Sequence, residues 1–312
     1  MYLRIVTSAL ILSACTLSVS AQSINPATTP QTAPMTASEQ NNLDMVLNWW
    51  REVIEAHHTD LAEKYQAEDY IQHNPNVPTG RAAFVKFFNT LGPQINPIPE
   101  KLSQPPVVKG AKGDFVWLVF EREQKDPGDP SKTYHFNSFD ILRIQNGKVQ
   151  EHWDSAKKFP SSPVFVPSTA PAASTWTTFK LTGEEQHNVA LATEELKDML
   201  QYGHLELADK IMDSGYIQHN PNVPQGRDGF KQFMSSIPGR TPQEIKPEWK
   251  NAPVLTLADG PYVVMMWDRK DKDPSDPTKD YTWDHFDVVR VENGLIKEHW
   301  DEAQLNRPPA AK

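Results

Sequence analysis

One nine-residue sequence motif, or word, occurs twice in the chain. YIQHNPNVP spans Tyr70–Pro78 and returns unchanged at Tyr216–Pro224. A shorter word, EHWD, stands at Glu151–Asp154 and again at Glu298–Asp301. The copies lie about half of the 312-residue length apart, so the chain is one folding unit written twice. Because the unchanged words carry His, Asn and Asp rather than core aliphatic residues, they indicate a functional site in each copy.

Each copy is predicted to be an α+β domain. Apolar residues recur at helical spacing after Ser38, which is expected to cap the first helix. A period of two replaces the helical period in the second part of each copy, which predicts successive antiparallel strands. Asn146-Gly147 and Asn293-Gly294 are typical hairpin turns between the last two strands. The order predicts helices packed on one face of a mostly antiparallel sheet.

The predicted boundaries follow composition. They are a secretion signal at 1–21, a flexible leader at 22–37, a first domain at 38–158, a proline-rich linker at 159–182, a second domain at 183–304 and a tail at 305–312. The signal predicts export to the periplasm or beyond. The alternative is a lipoprotein anchored through Cys15, because Leu12-Ser13-Ala14-Cys15 resembles a lipoprotein cleavage box. In both cases the mature body lacks a disulfide.

Charge and hydropathy limit the classes of partner that the chain is expected to bind. The net charge is −9, and no basic run is longer than a pair, which disfavours nucleic acid as a partner. The apolar stretch of the signal is too short for a spanning helix, so no membrane span is expected. A small-molecule substrate is the expected partner.

The first word places a histidine before an Asn-Pro turn. Proline there forces an extended backbone, so His73 and His219 either point into a cavity and carry a proton or pin the turn by bonding backbone. We expect both histidines to point into a cavity, because the two copies differ in the preceding helices but not in this word. The substrate-binding residues predicted from this word are Tyr70, Tyr216, Asn74 and Asn220.

The second word places an imidazole and a carboxylate on one strand face. His152 and Asp154 share a face because they are two residues apart, and Glu151 and Trp153 share the other. A catalytic role requires that His152 and Asp154 lie inside a concave sheet. Alternatively, their strand face is exposed to solvent and only the Trp on the opposite face is buried. The catalytic residues predicted from the two words are Asp154, Asp301, His73, His219, His152 and His299.

A further carboxylate interrupts an apolar strand at Asp140, and at Asp287 in the second copy. A two-residue turn would set Asp154 opposite Phe139, whereas a three-residue turn with Gly147 as a bulge would set it opposite Asp140. Facing carboxylates would raise the pKa of one of them and provide an acid and a base near neutrality. Alternatively, Asp140 pairs with a nearby Arg or Lys. Both aspartates are predicted to line the substrate site.

No metal or cofactor is predicted. The chain has no HxH, HExxH or cysteine ligand cluster, although two histidines and a carboxylate could form a facial triad. Dinucleotide and nucleoside-triphosphate motifs are missing from the sequence, as is the GxSxG motif of serine nucleophiles.

The ordered words YIQHNP, FDILR or FDVVR, an Asn-Gly turn and EHWD resemble the SnoaL-like branch of the nuclear transport factor 2-like superfamily. More narrowly, they resemble bacterial proteins predicted to be SnoaL-like aldol-condensation enzymes. The resemblance covers about residues 40–158 and 184–303. It implies two tandem cone-shaped barrels, each a curved, mostly antiparallel sheet around a pocket that N-terminal helices close.

The resemblance also implies a chemistry. In SnoaL-type polyketide cyclases, an aspartate in the last strand drives an intramolecular aldol closure without metal or cofactor, and Asp154 and Asp301 match that position. Where the cyclases carry a histidine fourteen residues earlier, this chain has Asp140 and Asp287. Members often dimerise through the outer face of the sheet, so the two halves are expected to form a pseudo-dimer within one chain.

The leading hypothesis is a cofactor-independent lyase, cyclase or isomerase that acts on a small enolisable carbonyl compound. In it the aspartates abstract the proton, and the histidines stabilise the enolate oxygen or shuttle the proton. The alternative is a non-catalytic periplasmic module that binds a small ligand or serves as a scaffold. An enzyme requires a carboxylate without an Arg or Lys partner inside a closed cavity, and a binding module does not.

Overall fold

The computed structural model describes residues 35–162, 176 and 179–306. The predicted signal lies outside the described residues, as do most of the predicted leader, most of the linker and the end of the tail. Within the described ranges, no helix has the length and apolar character needed to cross a bilayer.

The first half is a set of short helices followed by a five-stranded sheet. Its helices are α1 (Ala37–Trp49) with a π-helical continuation (Trp50–Glu55), a 3-10 turn (Thr59–Leu61), α2 (Ala62–Tyr65) and α3 (Arg81–Phe88). Its strands are β1 (Gln66–Gln72), β2 (Val108–Lys112), β3 (Phe115–Asp126), β4 (Asp129–Gln145) and β5 (Lys148–Asp154). The sheet order is β1-β5-β4-β3-β2. Only the β1–β5 pairing within this sheet is parallel, which confirms the predicted mostly antiparallel α+β arrangement.

The second half repeats this order. Its helices are α4 (Gly183–Thr193) with a π-helical continuation (Glu194–Gln201), a 3-10 turn (Leu205–Leu207), α5 (Ala208–Ile211) and α6 (Arg227–Ser235). Its strands are β6 (Met212–Gln218), β7 (Leu255–Asp259), β8 (Tyr262–Lys272), β9 (Asp280–Glu292) and β10 (Leu295–Asp301), in the order β6-β10-β9-β8-β7. Both sheets are open, since their outermost strands do not pair with each other, so the expected barrels are not closed.

The cap of α1 is Thr36 and not the predicted Ser38. The Thr36 hydroxyl accepts from the Glu39 backbone N–H, and the Glu39 carboxylate accepts from the Thr36 backbone N–H at 2.8 Å. Thr182 and Glu185 form the same capping box at the start of α4. The prediction was wrong because the Thr-x-x-Glu pattern, which satisfies two free N–H groups at once, begins two residues before Ser38.

The hairpin between β4 and β5 has a two-residue turn. Asn146 and Gly147 have positive φ angles of 53° and 71°, as this type of turn requires. Gln145 therefore pairs with Lys148 across the turn. This is the shorter of the two turns considered from the sequence.

A β-bulge then shifts the pairing by one residue. Gln150 has no partner on β4, since the residues on either side of it pair with Ile144 and Arg143. The extra residue brings Asp154 opposite Asp140. The structure thus combines the shorter turn with the facing carboxylates, because the bulge lies in the strand and not in the turn. The second half has the same shift.

The two sheets pack against each other through the faces that their own helices leave uncovered. The cluster of buried side chains between them draws on both halves. The rings of Phe139 and Phe286 stack at 5.6 Å between centroids with an interplanar angle of 4°. A buried ion pair joins Lys158 to Asp273 at 2.6 Å. This packing is compatible with the expected intramolecular pseudo-dimer.

Candidate active site

An Asp-His-Asp cluster lies on the helix-covered face of the first sheet. His152 and Asp154 alternate along β5 and so share a face, and Asp140 stands opposite Asp154 on β4. The His152 Nε2 lies 2.9 Å from the Asp140 Oδ1. One oxygen or nitrogen from each of the three side chains lies within 4.8 Å of the others. The structure therefore brings these three predicted residues together.

Hydrogen bonds assign the proton on His152. The Gln72 Oε1 accepts from the Asn74 backbone N–H at 3.0 Å, which leaves the Gln72 amide N–H to face the His152 Nδ1 at 3.1 Å. The Tyr70 hydroxyl also lies 3.1 Å from that nitrogen. Since an amide N–H only donates, the Nδ1 is the acceptor and the ring proton is on Nε2, from which it is donated to Asp140.

Asp154 is held by neutral donors. It accepts from the Asn74 side-chain N–H at 2.8 Å and from the Ala156 backbone N–H at 3.0 Å, and it has no Lys or Arg partner among the described residues. The Asn74 Oδ1 accepts from the Asn76 backbone N–H at 2.7 Å, which fixes the amide orientation. Burial raises the pKa of the Asp154 carboxyl; the neighbouring His152 opposes the rise, the charge of Asp140 adds to it, and the two hydrogen bonds partly oppose it.

Asp140 and Asp154 face a cavity of about 780 Å³. Both halves contribute to its wall. The wall includes the side chains of Trp50, Arg122, Phe136, Lys157, Trp283 and Glu302. Because Trp283 and Glu302 come from the second half, the candidate site of the first half is completed by the other copy.

The structure does not bring His73 and His219 to these clusters. The His73 ring stacks on Trp153 at 4.6 Å and 10°, and its Nε2 lies 3.7 Å from the Glu151 carboxylate. His219 makes the same two contacts with the equivalent residues of the second copy, at 4.4 Å and 3.0 Å. The rings lie on the other face because β1 ends beside β5, where the outward residues Glu151 and Trp153 are in reach.

In the second half, His299 lies between two carboxylates. Its Nδ1 is 2.9 Å from Glu195 and its Nε2 is 2.8 Å from Asp287. Ionised carboxylates only accept, so both ring nitrogens must donate and His299 is an imidazolium. Burial by itself would lower the pKa of His299, but the two carboxylates raise it well above its usual value.

A second imidazolium joins this cluster. His285 lies 3.0 Å from the other Asp287 oxygen and 2.6 Å from Glu302. Burial alone would lower the pKa of His285, but Asp287 and Glu302 raise it to about 10. The two histidines in turn hold the pKa of the Asp287 carboxyl below its usual range, although burial opposes this. Each of the carboxylates of Glu195, Asp287 and Glu302 therefore has an imidazolium partner.

Asp301 keeps the surroundings of its counterpart Asp154. It accepts from the Asn220 side-chain N–H and from the Ala303 backbone N–H, both at 2.9 Å. Burial raises the pKa of Asp301 as well. The Tyr216 hydroxyl accepts from Gln218 at 3.0 Å, as in the first half. The two halves thus share the contacts made within the repeated words and differ in the residues that surround the histidine and the aspartates.

Three exchanges produce the difference. Where the first half has Trp49, Ser138 and Ser155, the second half has Glu195, His285 and Glu302. The Trp49 ring meets His152 edge-on at 5.8 Å. In the second half, the negatively charged Glu195 contacts the equivalent His299 instead. Sequence reasoning missed these residues because it compared what the copies share. Their signal was in the positions where the copies differ.

The Asp-His-Asp cluster could offer three ligands to a metal cation. A cation bound through the His152 Nε2 would need that nitrogen free of a proton. The Gln72 N–H, however, occupies the Nδ1 and leaves the ring proton on Nε2. The donor set is therefore arranged for hydrogen bonding to Asp140 and does not fit a metal in this arrangement.

Comparison with known proteins gives one family. The model of the SnoaL-like domain matches residues 46–152 and 193–299. A search of curated proteins found no match. The two matched ranges coincide with the two copies of the sheet and its preceding helices.

Several solved structures resemble this chain. TsrD from Streptomyces laurentii is 19% identical, with a TM-score of 0.27 over 39% of this chain and 90% of that chain. A candidate ketosteroid isomerase from Kribbella flavida DSM 17836 is 18% identical, with a TM-score of 0.29 over 41% and 86%. A candidate SnoaL-like polyketide cyclase from Jannaschia sp. CCS1 is 16% identical, with a TM-score of 0.28 over 40% and 90%.

Proposed function

Because this chain belongs to the SnoaL-like domain family, with two members in tandem, we propose that it is a cofactor-independent acid–base enzyme. It acts as a lyase, cyclase or isomerase on a small enolisable carbonyl compound. The observation that carries this is Asp154, a carboxylate with a raised pKa and only neutral donors that faces a cavity of about 780 Å³. Such a group is suited to proton abstraction near neutral pH.

In the proposed reaction, Asp154 removes a proton from the carbon next to the carbonyl. The electrons of that C–H bond form the enolate. Either the proton on Asp154 returns to another carbon, or the carbanion attacks a second carbonyl and the resulting alkoxide oxygen takes the proton from Asp154. Protonation of Asp154 ends its repulsion with Asp140, which offsets part of the cost of the enolate. His152 keeps Asp140 in position through its Nε2–H.

We assign the reaction to the first half. In the second half, the carboxylates of Asp287 and Glu302 are held by the imidazolium of His285, which stands where the first half has a serine. The charge of His299 also favours the ionised form of Asp301 and opposes the rise in its pKa. The sequence predicted the same chemistry in both copies, and the proposal retains it for Asp154.

The test is deuterium exchange at carbon, followed by proton NMR in D2O with a panel of ketones, aldehydes and oxo acids. We expect wild-type protein to speed exchange of at least one compound and Asp154→Asn to slow it by about 100-fold or more, as for loss of a general base. Asp301→Asn is the matched control and should keep the rate within about threefold.

The outcomes separate the two functions proposed from the sequence. A compound that binds wild-type protein and Asp154→Asn equally, without exchange in either, would support the non-catalytic binding module. Equal loss of exchange in both variants would overturn the assignment to the first half. The predicted export is independent of these results and stays a prediction.

A further inference from the structure

Arg122 is the cation on the cavity wall without a carboxylate partner. It lies near the end of β3, and its Nε donates to the Ser138 hydroxyl at 2.9 Å. One terminal nitrogen donates to the Gln104 side chain. The guanidinium carbon lies 4.7 Å from the centre of the Phe120 ring. Among the described residues no carboxylate oxygen lies within 4.0 Å of it, and the other terminal nitrogen has no hydrogen-bond partner.

Arg122 differs in this from two other arginines on strands of the sheets. Arg143 and Arg290, which are also shielded from solvent, pair with Glu151 and Glu298 at 2.6 Å and 2.5 Å. The sequence has 40 acidic against 31 basic residues, so carboxylates are plentiful. Burial lowers the pKa of Arg122, and the charges of Asp140 and Glu55 oppose this only in part, so the surroundings still penalise the positive charge. An anion beside the guanidinium would relieve that penalty.

The other cations of the wall are already paired. Lys157 lies 3.5 Å from Asp271 and 4.3 Å from the centre of the Trp283 ring. Lys158 forms its buried pair with Asp273. A single guanidinium without a carboxylate partner balances one negative charge, and its remaining terminal nitrogen can donate to a carboxylate oxygen. Aromatic rings at Trp50, Phe136 and Trp283 leave room for an apolar body.

We propose that Arg122 binds the carboxylate of the substrate, so that the substrate is a small oxo acid whose carbonyl lies toward Asp154. This rests on the proposed function for the reaction, but the anion subsite itself does not depend on catalysis. Arg122 would be a binding and specificity residue. A phosphate dianion is disfavoured because it would bring a second charge without a second unpaired cation.

Binding can be measured without turnover. The probes are benzoate and its uncharged isostere benzamide, titrated by calorimetry or by NMR line broadening into wild-type protein, Arg122→Gln, Arg122→Lys and Asp154→Asn. We expect Arg122→Gln to weaken benzoate about tenfold or more, the usual effect of losing a hydrogen bond to a charged group. Benzamide should change less than about twofold, and Arg122→Lys should retain part of the benzoate affinity.

The matched control is Arg269→Gln, because Arg269 is the equivalent residue of the second half and is not part of the cavity wall. It should leave benzoate binding unchanged. Thermal unfolding of each variant checks that it folds. Benzoate that binds wild-type protein no better than benzamide, or equally well to Arg122→Gln, would overturn the subsite. Arg122-dependent benzoate binding with no exchange of any oxo acid would keep the subsite and reject the proposed reaction.

Discussion

At the scale of single residues, identical words do not have identical chemistry. Asp154 and Asp301 accept the same two kinds of hydrogen bond, yet the imidazole beside Asp154 meets an amide N–H at its Nδ1, whereas the imidazole beside Asp301 meets a carboxylate at each nitrogen. The difference comes from Gln72, which donates to the His152 ring, and from Glu195, which accepts from the His299 ring. Reactivity therefore depends on the residues that contact the histidine and not on the repeated words alone.

The pH dependence of the reaction follows from Asp154. It must be ionised to accept a proton, and its raised pKa moves the acid limb of kcat/KM above the usual carboxyl value of about 3.9. Asn74→Ala removes a hydrogen bond that stabilises the charged form, so the limb should move to still higher pH. The measurement is the pH–rate profile of deuterium exchange, with Asn220→Ala as the control in the second half. A limb at the ordinary value, or a shift with Asn220→Ala alone, would contradict the assignment.

The sequence predicted part of the site at this scale. The common face of His152 and Asp154 follows from strand periodicity alone, and Asp140 was included because it is a charge in an apolar strand. The outward orientation of His73 could not be predicted, because it depends on which strand β1 pairs with. Arg122 was missed because an arginine in a strand gives no sign of whether a carboxylate will reach it.

At the scale of strands and helices, small local features set the geometry. The antiparallel strands in the second part of each copy followed from periodicity and the Asn-Gly turns, whereas the bulge at Gln150 has no distinct sequence signal. Without the bulge, Asp154 would face Phe139 and point to the other side of the sheet. One inserted residue per half thus creates the facing carboxylates.

The edge strands β2 and β7 provide a stability test. Asp259 on β7 is 3% exposed, and it accepts from the Ala111 backbone N–H on β2 at 3.2 Å. Burial raises the pKa of Asp259 to about 6. The folded state therefore prefers the protonated acid, so this contribution to stability is present below about pH 4 and is lost as the pH rises through about 6.

We expect Asp259→Asn to raise the free energy of unfolding at about pH 8 by roughly 2 kcal/mol and to change it little at about pH 4. The amide oxygen can still accept from Ala111, and no charge has to be buried. Urea unfolding at both pH values measures the effect, with the exposed Asp228→Asn as control. A variant that is less stable than wild type at the higher pH would contradict this explanation.

At the scale of the whole molecule, the two copies contribute differently to the candidate site. The first half presents Asp154 to a cavity, and the second half closes part of that cavity with Trp283 and Glu302. The tandem arrangement was predictable from the repeat. The division was not, because it depends on which residues of one half reach the other across the packed sheets. A single copy would lack part of the wall of the site.

The central claim is that the two clusters differ in charge, and nitrogen-15 NMR of the histidine rings tests it most directly. At about pH 8, above the usual histidine value of about 6.5, His152 should be neutral with its proton on Nε2, while His299 and His285 should carry protons on both nitrogens. Replacement of each histidine by Gln assigns its signals. A charged His152 together with a neutral His299 would contradict the placement of the reactive site in the first half.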